Sequence, residues 1–194
     1  MEDKKLNEQE SLELIARMIR NSKRNVRENA GGPALIWGYA TVLTSLLVYA
    51  GWMLTHQYYS MYGWFLIPVF GGIGTFLFGR HEKPVLVKTY LDRVINYIWL
   101  VIGMVCWALS VAAFIFHFPI LFFISLLMAT AITLTGCVTD YRIFIYFGIV
   151  GMVLSFICLL VKGPEQILLF AGIFVIMMII PGHMLNAAIR RGAI

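Results

Sequence analysis

The residues in this chain that could do chemistry are few, neutral and scattered through apolar sequence. Ser110, Thr130 and Thr133 place hydroxyls in the middle of long runs of Leu, Ile, Val and Phe. Such hydroxyls can line a path for a polar solute, with Met104 as a soft neighbour, or each can donate to the carbonyl one turn back on its own helix. The second use is the commoner one. The four histidines fall at the ends of the runs, His56 and His117 on one side and His81 and His183 on the other. A pair such as His81 and His183 could titrate near neutrality or hold a metal, but no HxxxH or HxxE spacing supplies a third ligand. Asp92-Arg93 and Asp140-Tyr141-Arg142 each head an apolar run, where local ion pairing and an acid near a helix N-terminus explain them. Cys106, Cys137 and Cys158 stand singly, without CxxC or Cys-His spacing, and read as small apolar residues. GxSxG, Walker-type loops and paired catalytic carboxylates are missing. Neither an enzyme nor a cofactor is expected.

The elements that carry these residues are set by where charge is absent. Apolar residues make up 60% of the 194-residue chain and charged residues only 13%, with a mean hydropathy of +0.83. Stretches of about 18 to 23 residues, each free of Asp, Glu, Lys and Arg in its middle, match the length of helix needed to cross a bilayer. They run from about Ala34 to Leu54, Tyr62 to Gly79, Val94 to Phe116, Phe118 to Val138, Ile143 to Val161 and Gln166 to Ile180. The fold class is therefore all-α, a polytopic membrane protein of six transmembrane helices arranged as three hairpins. Pro68 is expected to kink the second span, and Pro181-Gly182 to end or bend the sixth, because proline cannot donate its backbone bond. His117 joins the third and fourth spans with almost no loop.

Orientation follows from the basic residues. Lys4, Lys5, Arg17, Arg20, Lys23, Arg24, Arg27, Arg80, Lys83, Lys88, Arg93, Arg142, Arg190 and Arg191 fall on one side and Lys162 alone on the other. The positive-inside rule puts both termini in the cytoplasm. The net charge of +5 then belongs to anionic headgroups at the span ends, and nucleic acid is not an expected partner. An absence of ionisable groups at mid-span also argues against ion-coupled transport, which needs a site whose charge changes within the membrane.

Residues 1–33 form a cytoplasmic arm ahead of the membrane domain, residues 34–194. Asn7 can cap a helix with Glu10 reaching back, and Leu12, Ile15 and Ile19 follow at helical spacing, with Val26 extending the stripe. Its first half is acidic (Glu8, Glu10, Glu13) and its second basic, including Arg20 and Arg24. Leu12, Ile15, Ile19, Arg20 and Arg24 are the candidate contacts with membrane or partner. Such a helix either lies on the inner leaflet, its basic half at anionic headgroups, or docks its stripe on a membrane or cytoplasmic protein. Gly31-Gly32-Pro33 reads as a flexible joint before the first span.

The stretch Leu6-Asn7-Glu8-Gln9-Glu10-Ser11-Leu12-Glu13-Leu14-Ile15, with Leu35-Ile36-Trp37-Gly38-Tyr39 at the first span, resembles a family of small six-span bacterial inner-membrane proteins with no known activity. The resemblance implies a bacterial cytoplasmic membrane and no mechanism. The reading that follows is a non-enzymatic accessory or regulatory membrane component. The alternative is a small uncoupled transporter or channel for a neutral or apolar solute.

Overall fold

The computed structural model describes residues 8–81, 90–116 and 118–191, and these are helical almost throughout. Among the described residues six helices are long and apolar enough to cross a membrane, over 31–55, 59–80, 90–115, 120–139, 142–160 and 165–190. Helix α1 (Glu8–Thr55) carries the first span. A 3-10 segment, Tyr58–Phe65, and α2 (Leu66–His81) make the second. Helices α3 (Tyr90–Ile115) and α4 (Ile120–Thr139) are the third and fourth. Helix α5 (Arg142–Ser155) and the short α6 (Ile157–Leu160) form the fifth. The sixth is α7 (Glu165–Phe174), a π turn over Val175–Ile179, and α8 (Ile180–Arg190).

Burial is uneven. The core lies among α1, α4, α5 and the sixth span, where Phe144, Phe170, Phe174, Ile132, Met177 and Leu185 are fully enclosed. No residue of α3 is buried. Helix α2 packs on α1, α3 packs on α4, and these two outer helices do not pack on each other. In the 3-10 segment ahead of α2, Tyr62 and Phe65 each stack on Phe114 of α3 at 5.6 Å. The densest pairing is α4 with α5.

That pairing follows from small residues. Between lipid tails and apolar side chains there is no hydrophobic gradient, so helices associate where their backbones can come close and dispersion contacts multiply. A Cβ on Gly136 would lie 2.8 Å from the Ile145 amide nitrogen, and one on Gly148 would lie 2.9 Å from the Thr133 amide nitrogen. Ser125, Ala129, Gly151 and Ser155, at four-residue spacing, are all buried here. The turn between the two helices is a Schellman-type cap: Asp140 takes a left-handed backbone at φ 56°, and the Tyr141 amide donates to the Gly136 carbonyl at 2.9 Å.

Prolines sit within the helices. Pro68 occupies the first turn of α2, where a missing N–H costs no internal bond, and the irregularity falls at the preceding 3-10 segment. The sixth span does not end at Pro181-Gly182, and helix continues to Arg190. The widened π turn stands immediately before Pro181 and includes Met177, the residue whose carbonyl a proline ring would otherwise crowd. Pro33 lies inside α1, so arm and first span share one helix. Gly31 and Gly32 are close-packing positions there: a Cβ on Gly31 would collide with the Asn186 side chain, and one on Gly32 with the Phe78 ring.

Candidate functional site

Buried hydroxyls mark the interior of the bundle. Thr41, Thr44 and Ser45 on α1, Ser125, Thr135 and Thr139 on α4, and Ser155 on α5 are almost entirely enclosed. Most are satisfied within their own helix. Ser45 donates to Thr41 O at 2.8 Å, Thr135 to Ala131 O at 2.8 Å, Thr139 to Thr135 O at 2.7 Å and Ser155 to Gly151 O at 2.7 Å. Ser125 donates to Leu121 O at 2.7 Å. Thr44 is the exception, its Oγ1 being enclosed without a hydrogen-bond partner.

The residues expected to line a polar path behave in the same way. Ser110 donates to Cys106 O at 2.8 Å, Thr130 to Leu126 O at 2.8 Å and Thr133 to Ala129 O at 2.8 Å. All three are half-buried. Thr133 is packed against Gly148 and is part of the α4–α5 contact. Met104 is exposed on α3. A depression of about 360 Å³ opens between Pro119, Cys158, Leu159, Val161, Lys162, Gly163 and Gln166. Its lining includes none of the three hydroxyls. Gln166, among its lining residues, donates to Cys158 O at 2.6 Å, which ties the fifth span to the sixth.

At the end of the bundle that carries Arg80, Arg142 and Arg190, α1 and α8 run close together. A Cβ on Gly38 would lie 2.9 Å from Ile179 Cγ1, and one on Gly182 would lie 2.9 Å from Leu35 Cγ. This approach brings the Tyr39 hydroxyl to 2.8 Å from His183 Nε2, with the rings edge to face. The two residues are 144 positions apart. Sequence reasoning placed His183 at the inner face but had no signal for its partner. Among the other histidines, His56 is exposed and ends α1 with φ 50°, His81 is the last residue of α2, and His117 lies outside the described residues. Among the described residues no cluster of three or more His, Cys, Asp or Glu could hold a metal ion. Cys106, Cys137 and Cys158 are free thiols.

Basic side chains rim the same end. Arg80, Arg93, Arg142, Arg190 and Arg191 are exposed, and Arg80 lies over the Phe76 ring at 4.6 Å. On the arm, Leu12 and Met18 are more than half exposed. The side chains of Ile15, Ile19, Arg20 and Arg24 lie outside the described residues. No family model, curated protein or solved structure matches the chain.

Proposed function

We propose that this chain is a multi-pass protein of the bacterial cytoplasmic membrane, with both termini cytoplasmic, that serves as a non-enzymatic accessory or regulatory component. The observation that carries the reading is the state of the mid-span hydroxyls. Ser110, Thr130 and Thr133 each donate to their own helix, and no span holds an ionisable residue in its middle. A transport path needs polar groups free to replace a solute's hydration or a site whose charge changes, and these spans offer neither. The three-hairpin organisation belongs to this reading, as does an amphipathic arm helix ahead of the first span. The basic residues nearest the bilayer, Arg27 and those at the span ends, pair with anionic headgroups.

The test is reconstitution. After shrinking in hyperosmotic glycerol, urea or xylitol, vesicles containing the protein should re-swell at the rate of protein-free vesicles. Single cysteines at Ser110, Thr130 and Thr133, in a background lacking the natural cysteines, should resist a water-soluble thiosulfonate. Accelerated solute entry together with labelling at those positions would favour the uncoupled transporter or channel instead.

A further inference from the structure

Helices α2 and α3 leave a cleft between them. No Cα atom of α2 comes within 8 Å of one on α3, although Tyr62 and Phe65, just ahead of α2, stack on Phe114 of α3 at 5.6 Å. Those rings fix which faces look at each other, and at what level. At about 100° per residue, Gly72, Phe76 and Gly79 all lie within about 40° of the direction of Phe65. Trp107, Gly103 and Leu100 lie within about 40° of the direction of Phe114.

The two rows are complementary in size. Because the helices are antiparallel and share a rise of about 1.5 Å per residue, equal counts from the stacked rings give equal levels. Seven residues along, Gly72 stands opposite Trp107; eleven along, Phe76 stands opposite Gly103; fourteen along, Gly79 stands opposite Leu100. Each large side chain meets a glycine.

On the face that α2 packs against α1, such notches are filled. A Cβ on Gly71 would lie 2.7 Å from the Trp37 ring, and one on Gly74 would lie 2.5 Å from Ile36 Cγ2. Towards α3 they are empty. Gly72, Gly79 and Gly103 have nothing within 4 Å of a Cβ position, and Phe76, Leu100 and Trp107 are each more than half exposed. Glycine weakens a helix, and between spans its use is to let a neighbour come close. Here the neighbour of matching shape is present but held off.

We infer that α2 and α3 are the jaws of a clamp hinged at the Tyr62, Phe65 and Phe114 rings. The structure shows its open ground state. In the closed, minor state Trp107 seats on Gly72, Phe76 on Gly103 and Leu100 on Gly79. The rows already meet within one chain at the rings, which makes them each other's partners rather than a second copy's. Their walls are apolar, so what closure displaces is lipid chain.

The experiment uses the full chain in its native membrane, with the natural cysteines replaced and Gly79→Cys paired with Leu100→Cys. A disulfide needs Cα atoms within about 7 Å, nearer than the open jaws allow, so the bond reports closure. Under copper phenanthroline this pair should form an intramolecular disulfide at least tenfold faster than Gly79→Cys paired with Val101→Cys, whose second position points about 140° from Phe114. Filling the remote notches by Gly72→Leu with Gly103→Leu should slow the bond at least tenfold. Gly172→Leu, at a position on α7 that is also open, should not. Sensitivity to leucines two to five turns from the reporting pair separates closure from local fluctuation at the pair itself. The leucine variant should be no less stable than the parent in detergent; lower stability would show the notches filled in the resting protein and overturn the clamp. No disulfide, a disulfide between copies, an equal rate at Val101 or indifference to the leucines would each overturn it as well.

Discussion

Replacing Gly148 by alanine probes the contact on which the bundle's tightest pairing depends. The new Cβ would lie 2.9 Å from the Thr133 amide nitrogen and 3.1 Å from the Ala129 carbonyl oxygen, and it would collide with Thr133 Oγ1. Two of those three are backbone atoms that cannot rotate aside, so α4 and α5 must separate by about 0.5 Å to restore ordinary contact. A gap of that size forfeits about a quarter of the dispersion well at each contact along the seam. Overpacking of this kind costs about 1–3 kcal/mol, against which alanine returns about 1 kcal/mol of helix propensity. The expected net loss is about 0–2 kcal/mol, centred near 1. Gly103 on α3 is the control, because nothing lies within 4 Å of its Cβ position. There the same substitution should gain about 0.5–1 kcal/mol. Reversible unfolding in mixed micelles, followed by far-ultraviolet circular dichroism, should separate the two variants by about 2 kcal/mol. Adding Thr133→Ala to Gly148→Ala should recover only part of the loss, since the backbone clashes remain. If Gly148→Ala is as stable as the parent, or Gly103→Ala loses as much, the close approach of α4 and α5 is not what holds them together.

Other expectations follow from single positions. Thr44→Val, which replaces an enclosed hydroxyl lacking a partner by a group of the same shape, should stabilise the protein by about 1 kcal/mol; a destabilised variant would show that Oγ1 is bonded after all. Asp140→Gly should exceed Asp140→Ala in stability by about 1 kcal/mol, because only the alanine suffers steric strain at a φ of 56°; equal midpoints would argue against the left-handed cap. With the natural cysteines replaced, Gln57→Cys should react with an impermeant maleimide in intact cells, and Arg191→Cys only after permeabilisation. The opposite pattern would invert the assigned orientation.

The number and length of the spans were legible from sequence because the bilayer imposes a one-dimensional test: about 20 residues without charge. Small residues recur at four-residue spacing along α4 and α5, as Ser125 with Ala129 and Gly151 with Ser155, but what they touch cannot be read along the chain. Spacing along one helix cannot say which neighbour it meets, and the densest pairing proved to be α4 with α5. The local chemistry of Gly31, Gly32 and Pro33 pointed to a flexible joint, yet the chain stays helical through all three. The glycines are fixed by the approach of Asn186 and Phe78, residues that sequence places far away and only packing brings near. Pro181 likewise announced an irregularity without its form, since the helix absorbed it as a π turn over Val175–Ile179 instead of ending. Composition and periodicity are local quantities, and they determined the class, the spans and the charge asymmetry. The pairing of Tyr39 with His183 and the enclosure of Thr44 without a hydrogen-bond partner arise from contacts between segments remote in the chain, and only the tertiary structure decided them.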